Sequence, residues 1–327
     1  MLRYAVTRLL GVIPTLLLVI TIAFFLVRLA PGGPFDQEQA LAPEIRAHLE
    51  AAYGLDQPML VQYGRYLRGL LHGDFGPSFK YRDFTVTELI GRGLPVSLAI
   101  GLPALLFAFL AGVSAGCAAA LRRGHWLDPV IMGVAVVGMI LPVLVIAPLL
   151  QLLFGIELGW LPVSGWQKGT LTDLVLPVLT LALPLTAYIA RLTRGSMLEV
   201  LASQFIRTAQ AKGLPWSRIV MRHALPPALL PVVSYLGPAS AMVLTGSLVV
   251  EKLFGLPGSG RYLVEGALNR DYTLVLGMTV VVATLTLGLN LVADLVYAWL
   301  DPRVRLGGLA ATMSLAARGR SGGGESR

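Results

Sequence analysis

The 327-residue sequence is poor in what soluble catalysts are built from. Only 13% of its residues are charged, against about a quarter in ordinary soluble domains, while 55% are hydrophobic and the mean hydropathy is +0.73. A membrane protein is therefore expected. The single cysteine, Cys117, excludes an internal disulfide framework and a thiolate metal cage. The four histidines, His48, His72, His125 and His223, have no metal-ligand spacing. No G-x-x-x-x-G-K-[ST] phosphate loop is present, and no strand-turn-helix nucleophile elbow or H-E-x-x-H pair organises the Ser, His and Asp residues. Enzymatic chemistry in this polypeptide is not expected. What the chain does have is 36 glycines and 21 prolines without a collagen period. Both are tolerated in transmembrane helices whose freed backbone groups find other partners.

Ionisable residues are so sparse that the gaps between them mark the spans. The gaps hold 19 residues between Arg8 and Arg28, 29 between Arg92 and Arg122, and 28 between Asp128 and Glu157. They continue with 17 between Asp173 and Arg191, 28 between Arg222 and Glu251, and 22 between Asp271 and Asp294. The prediction is an all-α polytopic membrane protein with six transmembrane helices of about 20 residues each. The fourth gap carries Pro177 and Pro184, so a kinked helix is expected there. The first run is too long for a signal h-region and ends without a small-residue cleavage site, so it reads as a retained helix.

In the six-span arrangement one side collects 15 Lys and Arg against four acids, and the other 11 against 13. The first side is expected to be cytoplasmic, with both termini on it. The basic pI of 9.9 is then a topology signal rather than a sign of nucleic-acid binding. Trp160 and Trp166 fall in one outer loop, and Trp126 and Trp299 near inner boundaries, as an aromatic belt requires.

Four divisions follow: a first helix (1–29), an outer helical segment (30–92), a core with five spans (93–305) and a Gly, Ser, Ala and Arg-rich tail (306–327) expected to be disordered. In the outer segment one helix is expected from Pro43 to Gly54. A second opens at Pro58, with Leu60, Tyr63, Leu67, Leu70 and Leu71 as its packing face, and stops before Gly73. The loop 191–224 places Met197, Leu201, Phe205 and Ala209 on one helical stripe, with Arg194, Arg207 and Lys212 over the polar surface. Gly213 breaks that helix, and a second, Trp216 to His223, precedes Leu225-Pro226-Pro227. Such a unit suits either a groove on another protein or an anionic lipid surface.

Arg207-Thr208-Ala209, Gly213 and His223-Ala224-Leu225-Pro226 keep the spacing of the E-A-A-x3-G-x9-I-x-L-P loop of binding-protein-dependent ABC importer membrane subunits, with Arg207, Thr208 and His223 as substitutions. The runs Ala187 to Met197, Phe205 to Leu230, Gly255 to Gly260, Gly266 to Tyr272, Asp301-Pro302-Arg303 and Tyr53 to Pro58 extend the match over about residues 1–305. The chain resembles the B-type membrane subunits of oligopeptide permeases in this family. The resemblance implies a type I ABC importer permease fold in the cytoplasmic membrane. It also implies a homologous second permease subunit, two cytoplasmic ATPases that use ATP and Mg, and an extracytoplasmic peptide-binding protein, with no cofactor on this chain. Carried over, Arg207, Thr208, Ala209, Lys212 and Gly213 form the ATPase-coupling helices, and Leu225 and Pro226 fix the exit into the membrane. The related alternatives are permeases for dipeptides, nickel complexes or other small solutes, and outside transport a polytopic scaffold.

Two further features are open at this stage. Gly255-x-x-Gly258-x-Gly260, beside Glu251, Lys252 and Arg261, reads as a turn at the outer end of the fifth span, an outer gate or a binding-protein contact. Asp294 near the end of the last span is expected to snorkel or to pair with Arg303 or Arg305. The spans otherwise lack acids of the kind that couple ion gradients, so the energy source is expected on another chain.

Overall fold

The computed structural model describes residues 2–29, 54–81, 83–166 and 170–300, together with 44, 45, 48 and 51. Most of the helix expected from Pro43 to Gly54, the partners Arg303 and Arg305, and the tail lie outside the described residues. Regular structure among the described residues is helical, apart from one β-bridge between Pro77 and Thr85. In chain order the helices are α1 (Leu2–Leu29), α2 (Met59–Leu71), α3 (Val86–Leu121), α4 (Leu127–Ile140) and α5 (Val143–Leu150), which continues as a π turn over Gln151–Glu157. Next come α6 (Leu171–Leu201), α7 (Gln204–Ala211), α8 (Trp216–Arg218), a π turn over Ile219–Ala224 and α9 (Leu225–Ala228). The chain then forms α10 (Leu230–Leu253), α11 (Ser259–Leu268) and α12 (Tyr272–Leu300). Helices α1, α3, α6, α10 and α12 are long and apolar enough to cross a membrane, and α4 with α5 passes the same test only as a pair bent by 108°, which gives five or six candidate spans.

A bend of 108° separates α4 from α5, within the third expected span. Leu141 has extended backbone (φ −69°, ψ 121°), because the ring of Pro142 disfavours the helical region for the residue before it. In contrast, α6 runs 31 residues straight through Pro177 and Pro184. Prolines inside membrane helices are tolerated where neighbouring helices compensate. The neighbour that holds α6 is α3. Along α3 the small residues Ala104, Ala108, Gly112, Gly116 and Ala120 recur every four positions, all buried, which lets backbones approach closely. A Cβ on Gly112 would stand 2.9 Å from the Thr186 carbonyl oxygen, and one on Gly116 would collide with that of Ala190. Gly112-Val113-Ser114-Ala115-Gly116 thus has G-x-S-x-G spacing for a packing reason, and Ser114 Oγ simply donates to Leu110 O at 2.7 Å.

The main core lies between α3, α6 and α10, around Ile100, Leu176, Ile189, Val243 and Phe254. Helix α1 leans on α12 and leaves its other side bare, with Leu10, Leu18 and Leu26 about as exposed as a free helix would leave them. Its Arg8 meets Asp294 at 3.3 Å, so this acid has a partner on the first helix. Helix α2 begins at Pro58 as expected but packs differently. Tyr63 packs edge-on against Phe24 and shares a 2.6 Å hydrogen bond with Thr21, and Gln62 accepts from Arg28 Nε at 2.9 Å. Leu60 and Leu71 stay exposed, because the aromatic and amide side chains, not the leucines, meet α1.

Candidate coupling surface and gate

The loop after α6 is built as a rigid protrusion. Helix α6 stops at Leu201, and Ser203, extended at φ −71° and ψ 156°, starts α7 as a separate helix. The single stripe expected across this point is therefore broken. Met197 and Ala209 are buried, but Phe205 is 49% exposed and Ile206 takes the inward place. Ile206 and Ala209 join Met197, Ile219, Val220, Ala224 and Ala228 in a small core that also takes in Ala120 at the end of α3. Gly213 has φ +73° and open space around it, a left-handed turn that glycine adopts without penalty. Its N–H donates to Gln210 O at 2.9 Å, and Leu214 N–H to Ala209 O at 3.4 Å. Arg207, Thr208, Lys212 and Gly213 are exposed on the protruding surface, Ala209 faces the core, and Leu225 and Pro226 are half-buried in α9. Trp216 and Met221 add large apolar surface to the same side. The helix expected over Trp216 to His223 is present, wound partly as a π turn.

Arg194 does not lie free on the polar surface. Its guanidinium clamps Asp128 through two hydrogen bonds, Nε to Oδ1 at 2.5 Å and Nη2 to Oδ2 at 2.8 Å. Such forked pairs fix geometry as well as charge, and this one ties the start of α4 to the end of α6, next to the protrusion. Sequence reading missed the pair because its members are 66 residues apart.

At the opposite end of the bundle, Glu251 is fully buried. Its carboxylate accepts from Ser97 Oγ (2.6 Å) on α3 and from Gly260 N–H (2.8 Å) at the start of α11. Ser97 Oγ in turn accepts from Ser259 N–H at 2.9 Å. The N–H groups that open α11 would attract an anion, and the chain supplies its own. Gly258 and Gly260 are required by this approach, since a Cβ on either would run into the Glu251 carboxylate. Gly255 turns the chain at φ +64° and is exposed. Glu251, Gly258 and Gly260 are thus a sealed latch, and of the four predicted residues only Gly255 is accessible to a partner.

A second clamp on this side was not singled out from sequence. Asp271 is fully buried and caps α12 by accepting from Leu274 N–H (3.0 Å); it also accepts from Ser78 Oγ (2.5 Å) and Lys80 N–H (3.1 Å). Beside it the Tyr81 hydroxyl donates to Glu265, which also takes Arg261 Nε at 2.7 Å. Burial and the bond to Glu265 push the Tyr81 phenol up to about 12. Partial burial opposes ionisation of Glu265, but Tyr81 and Arg261 outweigh it and hold its carboxyl below the ordinary range. An Asp immediately before an apolar run is an N-cap signature, which could have identified Asp271. No cluster of three or more potential metal ligands occurs among the described residues.

The chain matches two family models, binding-protein-dependent transport system inner membrane component over residues 87–306 and the N-terminal region of such membrane components over residues 1–100. It is 53% identical over 305 residues to the oligopeptide transport system permease protein OppB of Salmonella typhimurium, covering 93% of this chain and all of that one. OppB of Escherichia coli K12 is 52% identical with the same coverage, and the dipeptide transport system permease protein DppB of Bacillus subtilis is 41% identical over 94% of this chain and 99% of its own. A chain from inward-facing structures of the MetNI methionine ABC transporter superposes with a TM-score of 0.54 at 19% identity, over 65% of this chain and 96% of that one, and shares the fold. This chain, a multi-pass membrane protein, belongs to the family of binding-protein-dependent transport system inner membrane components.

Proposed function

We propose that this protein is one membrane half of an ABC importer of oligopeptides. The observation that carries the reading is the 53% identity that spans an entire OppB permease. The Lys and Arg-rich side, with both termini, faces the cytoplasm. There the α7–α9 protrusion docks on the ATPases, of which the importer has two and which alone bind ATP and Mg. Arg207, Thr208, Lys212 and Gly213 present the docking surface, Ala209 seats it on the core, and Leu225 and Pro226 join it to α10. A homologous second permease completes the pathway, and an extracytoplasmic binding protein delivers the peptide. The Glu251 latch seals the outer end, with Gly255 at its rim; residues 30–92 form an outer cap and 306–327 a cytoplasmic tail.

Nucleotide-driven closure of the ATPases can shift the permease between states only if nucleotide binds the two states differently. The deciding experiment reconstitutes the complex with its binding protein and measures ATP hydrolysis against a panel of peptides. Stimulation by peptides of three or more residues is expected. Stimulation by dipeptides alone would favour the second reading, which the DppB similarity supports, and stimulation by no peptide would refute both.

A further inference from the structure

The faces that the bundle leaves open differ in chemistry. On α1 and α4 most exposed positions are aliphatic, Leu10, Leu18, Leu26 and Val134 among them, with Thr7, Pro14 and Thr15 also exposed on α1. On α10 the exposed positions Pro231, Ser234, Pro238, Met242, Thr245 and Val249 follow one another at intervals of three or four, so they form a single stripe along a membrane span. Four of the six are hydroxyl or imino residues, a larger share than on the open faces of α1 and α4.

Acceptors line this stripe. Pro238 has no N–H to offer the Ser234 carbonyl four residues earlier. Ser234 Oγ donates to Leu230 O (3.0 Å) and Thr245 Oγ1 to Ala241 O (2.9 Å), which leaves both hydroxyl oxygens able to accept. Beside the stripe Tyr188 of α6 stacks on Tyr235 with ring centroids 4.2 Å apart, and the Tyr235 hydroxyl points at Met242 Sδ (3.9 Å). At the basic end the stripe opens into a cavity of about 530 Å³ lined by Tyr188, Arg191, Glu199 and Pro231. A cavity with Arg191 and Glu199 in its wall suits a hydrated route better than a dry helix contact.

We infer that the α10 stripe and the Tyr188–Tyr235 pair are this subunit's lining of the peptide pathway. An extended peptide carries backbone N–H donors whatever its sequence, and the Ser234 carbonyl and the two hydroxyls are acceptors for them. Met242, flexible and polarisable, adapts to different side chains, and the stacked tyrosines offer an apolar face with polar edges. The inference rests on the importer reading above and adds the residues that touch the cargo.

The test uses the complete transporter in membrane vesicles, with Cys117→Ala as background and Ser234→Cys, Met242→Cys or Thr245→Cys introduced singly. Leu18→Cys and Val134→Cys are the lipid-face controls. Because thiolates react and apolar surroundings keep thiols protonated, a membrane-impermeant methanethiosulfonate should label the stripe at least about tenfold faster than the controls. Trialanine with binding protein should slow labelling of Met242→Cys severalfold. Labelling no faster than at Leu18→Cys overturns the proposal. So does labelling unaffected by trialanine in vesicles that accumulate it, or a ready disulfide to a cysteine on the second permease subunit, which would mark the stripe as a packing face. Fast labelling blocked only by a non-peptide solute would instead refute the peptide reading and leave the hydrated stripe standing.

Discussion

At the level of single residues, the decisive positions are those where backbone geometry or burial leaves one chemical solution. Gly213 turns at φ +73° with nothing near its Cβ position, so a substitution there is opposed by conformation alone. Gly213→Val should cost about 1–2 kcal/mol in that turn and lower peptide uptake while ATP hydrolysis persists. Gly213→Asn, which tolerates the left-handed region, should retain most uptake; the ratio of uptake to hydrolysis in proteoliposomes checks both. Glu251 presents the complementary case, a buried acceptor with donors converging on it. Glu251→Ala should cost about 1–3 kcal/mol for each donor left unmatched and expose the 255–260 turn to protease, whereas Glu251→Gln keeps shape and one acceptor and should resist. Thermal denaturation and limited proteolysis of the assembled complex read these effects. Gly213 was legible in the sequence because a glycine between two amphipathic stretches has few other uses. The Glu251 latch was legible only as a cluster near a glycine-rich turn, since its other half, Ser97, lies 154 residues away.

Among elements, the outcome turns on how prolines and small residues are used. Two prolines inside a short uncharged run suggest a kink, yet α6 stays continuous because α3 packs against it along a face of small residues. The sharp break lies at Leu141-Pro142, where the residue before the proline has left the helical region. Charge gaps locate spans, but they carry no information on which span its neighbours will hold straight. Likewise the apolar residues of α2 announced a helix and, in Tyr63, part of its packing face, while Leu60 and Leu71 of that face stay exposed. Gly116→Val should force α3 away from the Ala190 carbonyl at a cost of about 1–3 kcal/mol, seen as a lower denaturation midpoint of the complex. The Tyr81–Glu265–Arg261 contact between the outer segment and α11 should depend on pH. The folded Glu265 carboxyl lies below its ordinary value of 4.5, so its contribution is complete above that value and is lost as pH falls through the lowered one. The folded Tyr81 phenol lies above its ordinary 10.0, at about 12, so its share is complete below 10 and is lost on alkalinisation through about 12. Denaturation midpoints measured against pH should show both edges, and Tyr81→Phe should remove the alkaline one.

For the whole molecule, the sparse charges of the sequence map onto two ends with different tasks. The basic end carries an exposed lever on a buried core, and the opposite end carries buried carboxylates that hold loops shut. If the basic end is cytoplasmic, trypsin should cut at Arg207, Lys212 or Arg218 in inside-out vesicles and spare them in right-side-out ones; the reverse pattern would invert the assignment. Helix α3 reaches both ends. Ala120 sits in the core beneath the lever, and Ser97 donates to Glu251 across a distance of 2.6 Å. At 1.5 Å of rise per residue, these positions are about 35 Å apart along one rod. A tilt of about 5° pivoting at the lever would sweep the far end through about 3 Å over that length, which is more than a hydrogen bond can stretch. Angular economy of this kind means that a displacement hardly visible at the α7–α9 end would suffice to part the Ser97–Glu251 bond at the other end of the bundle.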